Sequence, residues 1–459
     1  MRDLKAMSVP EMLGEGFVCD CGIRHATDVE QVYIGSGVIV KLPGIIKNLD
    51  KKKPFVVCDG TTYKAAGERV LALLKEAGLD YTMYMIRENM PEPDEHTLGE
   101  VCMHFDSSCD IIVAVGSGVI NDTCKMLAMI SGRRSIIVGT APSMDGFSSN
   151  SSSMLVDGVK VSIYDPCPIA IVLDTDILSQ APMHMLHAGL GDMLAKYVAL
   201  CDWKIANLVN GDYYCENIAG LMRRATETIR SRAAKLTQRD PETVAQVGEG
   251  LVMSAITMSF AGSSRPASGL EHYFSHMWDT FDIQRGIRAD LHGIQVGVGT
   301  LLTLKIYQWL RQMKPDRARA EKMMREFDTA RWEADVRRRF GTSAKTVLAI
   351  EEKTHKNDPA RHARHLDIIM EHWDKILGFM DEELPPFEEV YDLMKELGMP
   401  MTPQEIGFTA EDTREAFMGA RDIRDKYICS TLIWEMGLLE EIGDKLKAYV
   451  EAGCPREWN

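Results

Sequence analysis

Residues Asp110–Ile130 read DIIVAVGSGVINDTCKMLAMI, and their order decides the fold. Asp110–Val115 is a short β-branched run, which favours a buried strand. It passes into Gly116-Ser117-Gly118, and Asn121–Ile130 follows with helical periodicity. Strand, glycine loop and helix in that order make up the repeating unit of a parallel sheet. Glycines let the backbone come close to an anion, and a helix N-terminus offers N–H groups and partial positive charge. The spacing is G-x-G-x-x-N, short of the full dinucleotide fingerprint, so a simple tight turn remains the plain alternative.

Working outward, similar short runs occur at Gln31–Ile34, Phe55–Cys58, Tyr81–Ile86, Ser135–Val138 and Ile169–Asp174. Helical patterns such as Tyr63–Ala77 lie between them, so the reading is an α/β domain with a parallel sheet. Ser152–Ser162 is different, two runs joined at Asp157-Gly158, a hairpin signal. From Ala181 the pattern is helical to the end, broken at Pro266, Pro315, Pro385-Pro386 and Pro400–Pro403. The expected domains are therefore 1–180, α/β, and 181–459, all-helical.

The composition is globular, 45% apolar and 26% charged over 459 residues. A formal charge of −15 gives no nucleic-acid footprint, and an anionic substrate would need local cations. No run of about 18 uncharged apolar residues appears, so no membrane insertion and a cytoplasmic location are expected. Eleven scattered cysteines fit reduced thiols. Cys19, Cys21 and His25 form C-x-C-x3-H, but with no second pair downstream the spacing alone does not make a metal site. Lys314–Arg339 and the histidine-rich stretch His355–His372 read as solvated helical faces.

Two further loops suit a ligand. Thr140-Ala141-Pro142-Ser143-Met144-Asp145 follows the strand ending at Val138, and strand C-termini line the crevice of a parallel sheet. Asp59 closes Phe55–Cys58, where a carboxylate can accept from a ribose diol and repel a 2′-phosphate. In the helical half, His272 and His276 lie four residues apart, on one helix face. His292 opens a second apolar helical run, and Asp192 is the best candidate for a third ligand. One carboxylate and two imidazoles suit an open catalytic zinc, nickel or iron site; packed histidines are the alternative.

Together GSGVIND, TAPSMDGFSS, AGLGDMLAKYVALCDWK, SSRPASGLEHYFSH and HGIQVGVGT resemble the sn-glycerol-1-phosphate dehydrogenases, especially the bacterial branch. These sit within the superfamily of glycerol dehydrogenases, iron-containing alcohol dehydrogenases and dehydroquinate synthases. The resemblance spans roughly 15–310 and returns weakly in RDKYICSTLIWEMGLLEE.

It implies a Rossmann-like N-terminal domain, an all-helical C-terminal domain and an active-site cleft between them. It also implies a homo-oligomer, a small phosphorylated substrate, NAD with NADP possible, and one divalent metal. Asp192, His272 and His292 match the family's metal ligands, and Asp145 and His276 match positions near the substrate. Asp59, Gly116, Gly118, Asn121, Asp122, Thr140, Ser143 and Ser149 match dinucleotide positions. Gly60-Thr61-Thr62 departs from the family's usual pattern and leaves the choice of NADH or NADPH open. The implied reaction interconverts dihydroxyacetone phosphate and sn-glycerol 1-phosphate. Rival readings are a glycerol or polyol dehydrogenase, a dehydroquinate-synthase-like enzyme, or a non-catalytic NAD-binding protein. Arg265 and Lys196 are the candidate phosphate cations.

Overall fold

The computed structural model describes residues 8–458 apart from 15, 89 and 158. Its strands are β1 (Phe17–Val18), β2 (Arg24–His25), β3 (Gln31–Gly35), β4 (Pro54–Asp59), β5 (Thr82–Ile86), β6 (Ile111–Gly116), β7 (Ser135–Gly139), β8 (Ser151–Val156), β9 (Val159–Tyr164) and β10 (Ala170–Asp174). Six of them form one parallel sheet in the order β3-β10-β7-β6-β4-β5. The central strands β6, β7 and β10 are buried along their whole length, as continuous apolar runs in a doubly covered sheet should be. β8 and β9 pair antiparallel, as the hairpin signal requires; Gly158 of the expected turn lies outside the described residues.

The chain divides into two compact units, 1–193 with 216–263, and 194–215 with 264–459. The helices Glu216–Arg230 and Pro241–Ala261, both beyond residue 180, thus belong to the first unit. One of them, Pro241–Ala261, is long and apolar enough to cross a membrane, yet 67% of its most apolar window is buried. A Cβ on its Gly248 would come 3.3 Å from Leu173 of β10, so its apolarity serves the core behind the sheet. The described residues of the second unit form helices and connecting turns, with no strand among them.

The expected solvated face at His355–His372 is corrected in part. His362 and His365 are buried, with His362 Nε2 on the Glu435 carbonyl at 2.9 Å and His365 Nδ1 on the Glu435 carboxylate at 2.7 Å. Their spacing of three places both on the inner face of one helix, and a buried acceptor satisfies each ring.

Candidate active site

Chain order reverses in the sheet between β4 and β6, and a doubly wound sheet opens its ligand crevice at such a point. Asp59 ends β4 there. Its Oδ1 accepts from the N–H groups of Thr61 and Thr62, both at 2.8 Å, and Thr62 Oγ1 accepts from Asp59 N–H at 2.9 Å. This reciprocal cap is what Gly60-Thr61-Thr62 provides, and since Oδ1 takes both cap bonds, Oδ2 keeps its acceptor capacity.

Across the switch point, β6 runs into Gly116-Ser117-Gly118. A Cβ on Gly116 would lie 2.6 Å from Ile120, so only glycine lets the helix start so tightly against the strand. The Gly118–Ser131 helix directs its N-terminus at this turn. Thr140 N–H extends the sheet to the Gly116 carbonyl at 2.9 Å, and Ser117 and Ser143 hydroxyls share a bond of 2.7 Å. Those contacts join the two hydroxyl-rich loops side by side.

Asn121 and Asp122 are tied to their surroundings. Asn121 Nδ2 donates to the Gly146 carbonyl at 3.1 Å, and Asp122 Oδ2 accepts from Ser153 N–H at 3.0 Å. Ser149 Oγ accepts from Ser151 N–H at 3.2 Å. The fully buried Lys125, which nothing in the sequence reading marked, anchors this region. Its ammonium donates to the Ser151 carbonyl at 2.5 Å and stands 3.6 Å from Asp165, whose carboxyl burial pushes up.

Asp192 is completely buried on the Met183–Leu194 helix, and its Oδ2 accepts from Asp145 N–H at 3.0 Å. Gly189 makes that approach possible, because a Cβ there would sit 1.8 Å from the Pro142 carbonyl oxygen. Asp145 Oδ2 in turn accepts from Ser254 Oγ at 2.7 Å. Ser254 carries no sequence signal, as it lies inside the apolar run of Pro241–Ala261.

In the helical unit, His272 and His276 lie on the Leu270–Arg285 helix, and His292 begins the His292–Leu310 helix. The two helices close against each other at Gly299, where a Cβ would lie 2.6 Å from the Glu271 carbonyl oxygen. The His272 and His292 rings are 5.1 Å apart, and each offers a ring nitrogen within 4.8 Å of the other's. His276 stacks 6.1 Å from His292.

Hydrogen bonds set both tautomers. His272 Nδ1 donates to the buried Glu271 carboxylate at 2.8 Å. Ser275 Oγ donates to Gln295 Oε1 at 2.7 Å, so its oxygen accepts from His292 Nδ1–H at 3.1 Å. Each ring therefore carries its lone pair on Nε2, the state a metal ligand needs. The donor set of neutral imidazoles braced by buried acceptors fits a divalent metal. Glu271 and Ser275, absent from the sequence reading, stand next to the histidines inside the quoted motif SSRPASGLEHYFSH.

Behind Glu271 lies a second buried carboxyl, Asp202. It accepts from Leu270 N–H at 2.8 Å and Cys429 N–H at 3.1 Å, and it also bonds the Tyr307 hydroxyl. Burial and the charge of Glu271 push its pKa up to about 7. Gly269 allows this crowding, because a Cβ there would fall 2.7 Å from Asp202 and 2.8 Å from Glu271.

Three cations surround the loop before this helix. Lys196 donates to the Ala267 carbonyl at 3.1 Å and Lys426 to that of Ser268 at 3.3 Å, while Arg265 donates to the Tyr427 carbonyl at 2.7 Å and pairs with Asp212. Burial and neighbouring Arg265 push Lys426 down to about 7. Lys426 falls within RDKYICSTLIWEMGLLEE, the stretch that carried only the weak return of the resemblance.

The iron-containing alcohol dehydrogenase family model matches residues 33–182. The chain is 33% identical to the glycerol-1-phosphate dehydrogenase (NAD(P)+) of Halalkalibacterium halodurans, over 63% of this chain and 74% of that protein. It is 36% identical to the protein of the same name from Methanosarcina mazei, over 60% and 76%. Among solved structures, the glycerol dehydrogenase of Schizosaccharomyces pombe shares the fold, with a TM-score of 0.59 at 16% identity over 93% of this chain and 92% of that one. With these motifs in order on this scaffold, the chain belongs to the glycerol-1-phosphate dehydrogenase family.

Proposed function

We propose that the protein is a metal-dependent oxidoreductase interconverting dihydroxyacetone phosphate and sn-glycerol 1-phosphate with a nicotinamide cofactor. The observation that carries the reading is the His272–His292 pair, whose Nδ1 atoms are both engaged so that both Nε2 atoms act as donors to a metal. Asp192 is the third ligand in this proposal. Its burial and its bond from Asp145 N–H hold the carboxylate as a ligand requires. Zinc, nickel or iron suits an N/O set of this kind. When bound, a divalent metal supplies Lewis acidity that polarises a carbonyl oxygen, and the nicotinamide supplies hydride.

The chain's own residues bind and orient. Asp59 Oδ2 accepts from the adenosine ribose, while the Gly116–Gly118 turn and the following helix N-terminus receive the pyrophosphate. Thr140, Ser143 and Ser149 line the same crevice, with Asn121 and Asp122 holding its walls. Asp145, fixed by Ser254, and His276 orient the substrate hydroxyls, and His276 passes the proton. Lys426, with Arg265 and Lys196, takes the phosphate. A dianion there offsets the cost of charging a half-buried ammonium, whereas an unphosphorylated triose leaves it uncompensated.

The test is turnover by the metal-reconstituted protein with NADH and dihydroxyacetone phosphate, with chiral analysis of the product. The expected product is sn-glycerol 1-phosphate, with dihydroxyacetone a poor substrate. Faster turnover of dihydroxyacetone or glycerol would move the protein to the polyol dehydrogenases.

A further inference from the structure

The sheet unit carries a second set of metal-ligating side chains that the reaction does not use. Cys19, Cys21 and His25 occupy the β1–β2 hairpin, closed by a tight turn in which Cys19 N–H donates to the Ile23 carbonyl at 3.0 Å and Gly22 N–H to the Cys19 carbonyl at 2.9 Å. Gly22 takes φ +84°, which a side chain would strain. At the base of the hairpin a Cβ on Gly16 would lie 2.1 Å from the His25 carbonyl oxygen. Both glycines hold the loop in a shape that turns the two sulfurs and the imidazole toward one point, with their ligand atoms within 4.8 Å of one another.

The hydrogen bonds around this point are those of a metal site. His25 is fully buried, and its Nδ1 donates to the Phe260 carbonyl at 2.8 Å, which leaves the lone pair on Nε2. Nε2 lies 3.4 Å from Cys21 Sγ. Two ligands of a tetrahedral zinc, at about 2.3 Å for sulfur and about 2.0–2.1 Å for nitrogen, stand about 3.5 Å apart. Asn217 Nδ2 donates to Cys19 Sγ at 3.2 Å, a bond that favours an anionic sulfur. Asn217 thereby brings its own segment of chain to the hairpin.

We propose that Cys19, Cys21 and His25 bind a zinc ion in a structural site, separate from the catalytic metal. Two thiolates and one imidazole supply three of the four ligands of a tetrahedral structural site. Binding releases the thiol protons, so affinity rises with pH. The ion clamps the β1–β2 hairpin to the end of the Pro241–Ala261 helix, where Phe17, His25 and Phe260 pack ring to ring at 5.4–5.7 Å.

Zinc per chain, measured on full-length protein loaded with zinc and freed of excess, tests the proposal. Two equivalents are expected for the parent, one for Cys21→Ser and one for His292→Ala. Cobalt loading tells the two sites apart: the thiolate-to-cobalt charge-transfer band disappears in Cys21→Ser and persists in His292→Ala. If Cys21→Ser does not fold, titrating the parent with a mercurial gives the same readout, with one zinc equivalent expected to be displaced. Equal zinc in parent and Cys21→Ser, no thiolate band on the parent, no zinc displaced by the mercurial, or a Cys19–Cys21 disulfide in freshly isolated protein would each overturn the proposal.

Discussion

His25 and His272 are both buried histidines fixed through Nδ1 at 2.8 Å, one by the main-chain carbonyl of Phe260 and the other by the carboxylate of Glu271. A carbonyl orients the ring and adds no charge. A carboxylate also makes the imidazole a more basic ligand and sets a negative charge directly behind it. Thiols surround the first ring, and a second imidazole neighbours the other. A set rich in thiolate carries its own charge and needs only orientation behind it. A set of neutral imidazoles draws its negative charge from the acceptors that brace it.

The largest effect expected of this contrast comes from removing a ligand of the imidazole site. His292→Ala and Asp192→Asn should each lose that metal together with all measurable turnover; full occupancy by elemental analysis in both would end the assignment. His276→Ala comes next. It should keep metal and NADH affinity near the parent's while kcat/KM for dihydroxyacetone phosphate falls at least about tenfold, since general acid–base help contributes about 10² to 10⁴. Metal loss in that variant would make His276 a ligand, and unchanged kcat/KM would make it a packed histidine.

Glu271→Gln tests the bracing group itself. The amide keeps a hydrogen bond to His272 and removes the charge, so metal affinity should fall by roughly 10- to 100-fold. A variant that binds metal like the parent would show that orientation suffices here, as it does at His25. Asp59→Ser keeps a capping oxygen and should narrow the NADH-over-NADPH ratio several-fold by removing like-charge repulsion with a 2′-phosphate. A parent that already prefers NADPH would contradict this role for Asp59.

The smallest effect is one of pH. Asp202 titrates near 7 in the fold, well above its unfolded value, so it favours the folded state below about pH 4 and loses that contribution as pH rises through about 7. Melting temperatures of metal-free protein should fall across that window, and Asp202→Asn should flatten the slope. An equal slope in both proteins would rule Asp202 out as its source.

Sequence made the sheet and its crevice legible because their signals are local. β-branched runs, Gly116-Ser117-Gly118 and the Asp59 cap are each decided within a few residues. That His272 and His292 come together was legible through spacing and motif. Their support was not: Glu271 looks like any acidic residue in a first helical turn, and its role depends on its burial beside Asp202. Ser254 and Lys125 meet their partners across 109 and 26 residues, and no period or motif encodes such a meeting. The histidine-rich stretch misled for the same reason, since Glu435, which turns His362 and His365 inward, lies about seventy residues away.

The bond from His25 to Phe260 spans 235 residues of chain. At a synthesis rate of about 5–20 residues per second, the hairpin waits on the order of ten to fifty seconds for that carbonyl. Contacts this distant form late and pay their loop-closure entropy first. Cys19 and Cys21 therefore leave the ribosome well before His25 has its acceptor. Cys21 stays exposed in the finished fold, so that interval matters most for buried Cys19, whose state growth conditions during synthesis should decide more than storage of the finished protein does.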